Sequence, residues 1–467
     1  MLWTLTRKEA LAHLLSLRFN LSVLLVVGLM AGGAVIFRGG YERDMSDYNG
    51  AVAARQEALA DACRSWGPLF SVYSYLDQPL MSRPAPLGFI AEGQQRDLPN
   101  VIEANAFRLT NLSVQQRGNP MMQPFEALDW ALIVSVVLSF AALVLTFDGF
   151  AGEKEDGTLR LVLANPVPRW MLVASKLLGA WAVLMAGLLV GGIVQLLILL
   201  PGGWLRLDGG TLLRLAAAFA LSALYVALFV LLGLLISTRH ASSAAALVVS
   251  LLVWAVLAVV IPRTTVLLAH GMERVERRGE VSSEADHALE ATRDEYLRLH
   301  PNSPEWFSGH WSPGETLDMA FAIWRAWQQP FDAWRAAQLQ QVERARRLSF
   351  LSPAALLSAG LERVAGSGLT GYRQFLDAAH SYRRALAEGL RSRYPLDPAN
   401  GFGRDEEARR RVAAVKVSPA ELPVFRPRTE SAAAAVTSSL GTDAVLAVLD
   451  LLLLLAAAVA AGRYDVR

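Results

Sequence analysis

Long blocks of apolar residues constrain this chain more than any other feature of its sequence. Several blocks reach about 20 residues, the length that a helix needs to cross a hydrocarbon core of about 30 Å. Apolar residues make up 53% and charged residues 18% of the 467 residues, which is not the balance of a soluble protein of this length. The sequence therefore predicts an all-α polytopic membrane protein with six transmembrane helices and two extracytoplasmic, mainly helical regions.

The six predicted spans are separated by two long polar interruptions. The apolar blocks are 19–37, 128–147, 170–200, 212–236, 241–261 and 442–461. Leucines around Arg7 and Lys8 precede the first span, and they suit either an amphipathic helix at the membrane surface or an extension of that span. The predicted divisions are an N-terminal helix with the first span, a first extracytoplasmic region, four spans, a large helical extracytoplasmic domain, and the last span with its tail, at 1–37, 38–126, 127–262, 263–441 and 442–467.

The two polar regions differ in their residue patterns. In the first, residues 41–66 have a helical composition, whereas the prolines between 78 and 100 predict an extended chain. In the second, apolar and aromatic residues recur three and four positions apart amid Arg and Glu. This spacing predicts several helices separated by Pro and Gly breakers.

Basic residues in the short segments predict the orientation. Lys and Arg occur before the first span, in 148–169, at Arg239 and in the tail, and these segments alternate as cytoplasmic loops should. Large domains translocate largely regardless of charge, so the two long regions do not count. The prediction places both termini and segment 148–169 in the cytoplasm and both large domains outside.

Segment 148–169, between the second and third spans, is the main candidate for a functional site. Glu153 and Glu155 fall at the predicted start of a short helix, where the helix dipole favours acidic side chains. Residues 158–163 supply an apolar face that suits docking of a soluble partner. From the spacing alone, however, a solvated interfacial loop is the better interpretation.

Residues 125–181 resemble the signature region of type-2 ABC exporter permeases. They contain a span, a Gly-Glu-x-Glu-x-Gly-Thr-Leu turn, a short helix that ends in Pro-x-x-Arg, and a span that opens with Lys-x-x-Gly. Residues 83–93, 351–379 and the final Arg-Tyr-Asp-Val-Arg are similar to one subfamily. That subfamily is associated with multicopper-enzyme maturation and carries a large extracytoplasmic insertion before the last span.

The resemblance implies a non-catalytic permease subunit of an ATP-driven transporter in a bacterial inner membrane, working in export or on an extracytoplasmic partner. It assigns coupling to the ATPase to five positions that match the motif: Glu153, Glu155, Gly157, Thr158 and Arg169. The sequence lacks Gly-x-x-x-x-Gly-Lys-Ser/Thr. Separate ABC ATPase subunits would therefore bind ATP and Mg, and no cofactor is expected on this chain. Six spans form half a translocation path, which implies a second permease chain, identical or paralogous; a periplasmic partner stays open.

Two polar residues fall inside predicted spans, namely Asp450 in the last and Gln195 in the third. A carboxylate at that depth is costly and is a functional hypothesis by default. A neutral Asp450 that hydrogen-bonds a neighbouring helix is an equally good structural interpretation.

The remaining features indicate what else the chain does or does not do. Seven histidines without paired spacing and a single cysteine do not favour a metal site, and a net charge of +2 does not favour nucleic acid. No catalytic constellation supports an active site. The alternative function is a polytopic sensor or scaffold whose outer helical domain binds a partner. One aromatic cluster is a candidate outer recognition surface, although domain core or membrane-interface rings explain such spacing more often: Trp306, Trp311, Trp324 and Trp327.

Overall fold

The computed structural model confirms the predicted fold class of an all-α polytopic membrane protein. Within the part of the chain that it describes, six helices are long and apolar enough to cross a membrane. A sheet of three short strands is the main addition to the helical architecture. The structure describes residues 1–93, 98–113, 128–164, 167–264, 276–299, 317–350, 352–396, 406–427 and 430–463.

The spanning helices are α2, α4, α7, α8, α9 and α15 in the numbering used below. In chain order the elements are α1 (Leu2–Leu14), α2 (Leu17–Arg64), α3 (68–75), β1 (Gln78–Met81), β2 (Val101–Ala104), β3 (Leu109–Ser113), α4 (130–146), α5 (Ala151–Glu155), α6 (Thr158–Leu163), α7 (Arg169–Leu199), α8 (Gly209–Arg239), α9 (Ser243–Thr264), α10 (Arg278–Leu299), α11 (Leu317–Ser349), α12 (Pro353–Ala365), α13 (Gly368–Arg393), α14 (Glu406–Ala413) and α15 (Ala432–Gly462).

Helix α2 joins the first span to the extramembrane region without a break. Its 48 residues correspond to about 70 Å at 1.5 Å per residue, more than twice the hydrocarbon thickness. The helix begins after Ser16, whose Oγ accepts a hydrogen bond from Phe19 N at 3.2 Å. It ends shortly before Gly67, which takes a φ of 72° ahead of Pro68. The predicted first span and the predicted helix at 41–66 are therefore one continuous rod.

The two polar regions share a single hydrophobic core. The sheet is antiparallel in the order β1-β2-β3, and Gln78 pairs with Ala104. Tyr382 on α13 donates a hydrogen bond to Gln78 Oε1 at 2.5 Å, and Leu109 N donates to Gln328 Oε1 on α11 at 2.9 Å. Buried side chains from 69–109 and from 317–425 belong to one cluster. Segments more than 200 residues apart thus form one extramembrane unit.

Glycines allow α2 and α7 to approach closely within the membrane. A Cβ atom at Gly187 would lie 2.9 Å from Val23 Cγ2, and one at Gly191 would lie 2.6 Å from Met30 Sδ. Small residues are the usual means of close helix contact in lipid, where packing replaces the hydrophobic driving force. The register between α2 and α7 is therefore set by side chains of α2 that fill the glycine positions of α7.

Candidate functional site

The candidate coupling segment contains two short helices rather than the one predicted. Helix α5 has Glu153 in its first turn and ends at Glu155, and α6 starts at Thr158. Between them Gly157 adopts φ 71°, a left-handed conformation that favours glycine and terminates a helix. The prediction of one short helix was wrong, because the turn at Gly157 separates α5 from α6; Glu153 does lie in the first turn of a helix, as predicted. Thr158 Oγ1 braces the turn by donating to Glu153 O at 3.3 Å.

A buried lysine connects this segment to two other helices. Lys176 Nζ on α7 lies 2.6 Å from Glu153 Oε1 on α5 and 3.3 Å from Glu9 Oε1 on α1. Its side chain is 8% exposed, whereas those of Glu9 and Glu153 are 21% and 25% exposed. One turn further on, a Cβ atom at Gly179 would lie 2.7 Å from Glu9 Cβ. The contact of Gly179 with Glu9 and the ion pair of Lys176 with Glu9 thus hold helix α1 against the start of α7.

Lys154 and Ser237 fasten α5 to the end of α8. Lys154 Nζ donates to Thr238 O at 2.6 Å and to His240 O at 3.0 Å. These carbonyls belong to the C-terminal turn of a helix, which leaves such groups without intrahelical partners. In return, Ser237 Oγ accepts hydrogen bonds from Phe150 N and Ala151 N, both at 2.9 Å. The start of α5 and the end of α8 therefore each provide a side chain that hydrogen-bonds backbone groups of the other.

Three further contacts reach the remaining spans. Glu155 Oε2 accepts from Ser243 N at 3.1 Å and from Ser243 Oγ at 2.5 Å, at the start of α9. Arg169 Nη1 donates to Gly462 O at 2.5 Å, at the end of α15. Asp148, just beyond α4, pairs with Arg18 of α2 at 2.6 Å.

Segment 148–169 is consequently bonded to five of the spanning helices, α2, α7, α8, α9 and α15, and continues directly from the sixth, α4. We call this set of contacts the polar junction; it comprises Glu9, Arg18, Asp148, Glu153, Lys154, Glu155, Arg169, Lys176, Ser237, Thr238, Ser243 and Gly462. Every contact within it joins segments that are distant in sequence. A displacement of α5 would therefore act on several spans together.

Of the five predicted coupling residues, three take part in the polar junction and two lie beside it. Glu153, Glu155 and Arg169 point to groups of their own chain, while Gly157 and Thr158 form the exposed turn between α5 and α6. Sequence reasoning missed Lys154 and Lys176. Lys176 could have been found from the sequence, because it is a lysine within the opening turns of an apolar span. An ionisable residue at such a position has a partner or a function.

The polar junction lines an open cavity of about 480 Å³. Carboxylates outnumber cations along its wall, and the ring of His13 also faces it. Burial lowers the pKa of His13, and the nearby carboxylate of Glu9 opposes that effect by favouring the charged ring. His13 therefore favours its neutral form inside an acidic cavity.

Helix α6 has one buried and one outward side. Leu159 is 3% exposed and packs on the core, whereas Leu161 is 71% exposed and Arg160 is also exposed. We call Arg160 and Leu161 the outward face of α6. A large apolar side chain exposed beside the polar junction is a feature of recognition surfaces.

The two intramembrane polar residues make no hydrogen bonds with the described part of the chain. Both carboxylate oxygens of Asp450 and both amide heavy atoms of Gln195 are enclosed and lack such partners. Leu446 and Ala457 are buried on the same side of α15, which packs along α8. The described residues do not supply the interhelical hydrogen bond that was considered for Asp450. A functional role for Asp450 stays a prediction.

The described members of the aromatic cluster pack against neighbouring elements. Trp324 and Trp327 are half-buried, with ring centroids 5.7 Å apart. Trp327 Nε1 donates to Asp286 Oδ1 of α10 at 3.1 Å, and the Arg108 guanidinium lies 4.8 Å from the Trp324 ring. These contacts hold α10 and the sheet against α11, while a recognition role stays a prediction. Trp306 and Trp311 lie outside the described residues.

Comparison with known proteins gave one family and one curated relative with a partial match. The model of the ABC-2 family transporter protein matches residues 3–459. The probable ABC transporter permease protein NosY of Pseudomonas aeruginosa is 33% identical over 106 residues, which cover 20% of this chain and 38% of that protein. The match thus spans less than half of the relative's length.

Replacing Lys176 by Met should destabilise the chain. The change leaves Glu9 and Glu153 without their common cation, and we expect the free energy of unfolding to fall by about 3 kcal/mol, the low end for a broken buried pair because both carboxylates are partly exposed. Chemical unfolding of the purified chain in mild detergent measures this. Lys8→Met removes the same charge from the exposed side of α1 and should change little. A triple variant with E9Q and E153Q should recover part of the loss; a triple variant no more stable than K176M contradicts the explanation.

Replacing Asp450 by Val should stabilise the chain. The substitution removes two enclosed oxygens that have no hydrogen-bond partner in the described residues, and leaving such groups unsatisfied costs about 1–3 kcal/mol. We expect a higher thermal unfolding midpoint than in the wild type. Asp450→Asn, which keeps the size and polarity, should leave the midpoint near the wild-type value. A lower midpoint for D450V than for D450N would show that Asp450 has a stabilising partner.

Proposed function

The chain belongs to the ABC-2 family of transporter proteins, and we propose that it is a permease subunit that receives work from a separate ATPase through the polar junction. The observation that carries this proposal is that segment 148–169, which continues from α4, is bonded to the other five spans at one end of the bundle. The likeness to a probable ABC transporter permease supports it further. ATP and Mg would be bound by the ATPase subunits, and this chain would carry no catalytic step.

The contacts of the polar junction give a route for the work. A partner that pushes on the outward face of α6 moves α5, because only the Gly157 turn separates the two helices. Movement of α5 acts on α8 through Lys154 and on α9 through Glu155. Hydrogen bonds to charged groups are worth about 1.5–3 kcal/mol each. Such links are strong enough to hold helix ends together while the spans change between two packings.

The proposed orientation places the polar junction in the cytoplasm of a bacterium and the extramembrane unit on the periplasmic side of the inner membrane. Basic residues at Arg18 and Arg169 mark the junction side, in agreement with the preference of cytoplasmic loops. The described residues between α9 and α15 then form the large insertion of the multicopper-associated subfamily. Their helices, together with the sheet, would contribute specificity or bind a periplasmic partner during export.

A second permease chain, identical or paralogous, would complete the translocation path. Helix α15 supports this proposal, because only 11% of its most apolar stretch is buried, compared with 72% for the span that contains α4. Helix α9 is similar, with 17% buried. These two helices are therefore the least buried of the six spans, and they leave apolar side chains open to lipid or to another copy.

Replacing Leu161 by Asp should prevent the ATPase from binding while the chain still folds. Leu161 is 71% exposed, so a carboxylate there costs little in the isolated chain but is unfavourable in an apolar interface. Co-purification of an ABC ATPase with the chain from native membranes measures binding. Val424→Asp is the matched control, since Val424 is 67% exposed in the extramembrane unit and should leave co-purification unchanged. Normal co-purification of L161D rules out the outward face of α6 as the docking surface, and absence of any ATPase from wild-type preparations favours a sensor or scaffold instead.

Replacing Arg169 by Gln should separate ATPase binding from its effect on the spans. The variant loses the bond to Gly462 O at the end of α15 but leaves the outward face of α6 intact. We expect co-purification to persist and stimulation of ATP hydrolysis by the permease to fall about tenfold, as loss of a charged hydrogen bond predicts. Arg7→Gln, on the exposed side of α1, removes the same charge and should have no effect. Full stimulation by R169Q would remove this link from the coupling route.

A further inference from the structure

A second and larger cavity lies at the opposite end of the spans from the polar junction. Its volume is about 750 Å³, within the range of small-molecule sites. Helix α7 starts at the junction and ends at Leu199, a rise of about 45 Å over its 31 residues, and the loop that follows it forms one wall. The α12–α13 turn and the residues before α15 form the others. We call it the boundary cavity; its wall includes Tyr41, Arg83, Trp204, Arg206, Arg214 and Tyr372.

The charged groups of the boundary cavity favour an anion. Arg83, Arg206 and Arg214 face two carboxylates, those of Asp208 and Glu430, so the wall has a formal charge of +1. The Asp208 carboxylate is already engaged, because its Oδ1 accepts from Thr211 N at 2.7 Å at the start of α8. Arg83 and Arg206 are exposed to the cavity and form no ion pair with a described residue. Two guanidinium groups are therefore available to a ligand.

Arg214 fixes the shape of the boundary cavity. Its Nη1 donates to Val364 O at 2.6 Å, at the end of α12, and its Nη2 donates to Glu430 O at 2.7 Å, two residues before α15. A guanidinium has five donors, so these bonds leave others unused. The cavity is consequently framed by a side chain that ties α8 to both the extramembrane unit and the last span.

The opposite wall of the boundary cavity is aromatic and continues into an apolar surface. The rings of Trp204 and Tyr41 lie 4.1 Å apart between centroids, and a Cβ atom at Gly202 would lie 2.3 Å from Trp204 Nε1. The glycine thus makes room for the indole. Leu207 lies between the wall residues Arg206 and Asp208, Leu213 lies beside Gly210 on the surface of α8, and each is 43% exposed. The apolar surface therefore extends from the rim of the cavity along the start of a spanning helix.

The arginines, the aromatic wall and the adjoining leucines together favour an amphiphile over a soluble anion as the ligand of the boundary cavity. Trp and Tyr concentrate at the boundary between hydrocarbon and water, and guanidinium groups match phosphate oxygens in a planar, two-pronged geometry. A soluble phosphate would use the arginines but not the adjoining leucines. A ligand with a charged head and acyl chains uses both.

We propose that the boundary cavity binds an anionic phospholipid, whose phosphate contacts Arg83 and Arg206 and whose acyl chains lie along Leu207 and Leu213. The site requires neither an ATPase nor the polar junction, so it stands apart from the proposed function. A lipid seated there touches the groups around Arg214 and stabilises the contact between α8 and the start of α15.

The test measures lipid binding to the purified full-length chain in a neutral detergent. The probes are dihexanoyl phosphatidylglycerol, dihexanoyl phosphatidylcholine and glycerol phosphate, titrated by calorimetry. We compare the wild type with R83Q/R206Q and with R384Q/R411Q, which removes the same charge from exposed positions of the extramembrane unit. Thermal unfolding midpoints without lipid show whether each variant is folded, and added ligand should raise the midpoint of any chain that binds it.

The expected result is that wild type and R384Q/R411Q bind phosphatidylglycerol at least tenfold more tightly than phosphatidylcholine or glycerol phosphate. R83Q/R206Q should unfold at the same temperature without lipid and lose phosphatidylglycerol affinity by tenfold or more, because charge-assisted contacts to the phosphate are removed. Three outcomes would overturn the proposal. They are equal binding of the two lipids, wild-type affinity in R83Q/R206Q, and binding of glycerol phosphate as tight as that of the lipid, which would assign the site to a soluble anion.

Discussion

The buried ammonium group of Lys176 is the constraint on which the organisation of this bundle depends. A charge held at 8% exposure at the start of a spanning helix is stable only with its counter-charges in place, since desolvation of an unpaired ion costs several kcal/mol. Those counter-charges come from Glu9 and Glu153, on two other helices. The positions of α1, α5 and α7 are therefore fixed together. None of these helices can move without exposing a charge to lipid or water or separating it from its counter-charge.

The same reasoning explains the remainder of the polar junction. Helix ends at the edge of the hydrocarbon leave backbone groups that lipid cannot satisfy. Lys154 and Arg169 donate to carbonyls at the ends of α8 and α15, and Glu155 accepts from the first amide of α9. The charged residues between the second and third spans are thus explained by backbone hydrogen bonding before any partner is considered. A coupling role adds to this requirement, because groups that hold helix ends are also the ones able to move them.

How far the sequence predicts the structure follows from the range of the interactions involved. The six spans were predictable because hydrocarbon thickness imposes an apolar block of fixed length. The sequence did not predict that the last helix starts at Ala432, before the predicted span boundary of 442. Its first turns are rich in Ala, Thr and Ser and so do not read as part of an apolar block. The break at Gly157 depends on one left-handed residue. The Lys176 pair with Glu9 and the single core shared by 69–109 and 317–425 depend on contacts between distant segments, which periodicity does not encode.

Helices α8 and α15 connect the two ends of the molecule. They pack along each other, and each has 31 residues. Arg214 ties their starts together beside the boundary cavity, whereas Lys154 and Arg169 hold their ends at the polar junction. A helix transmits displacement along its axis because its backbone bonds resist compression. If lipid binding and ATPase docking each prefer one arrangement of this pair, linkage requires the effect to be mutual. A lipid that strengthens ATPase binding must then itself be held more tightly when the ATPase is bound.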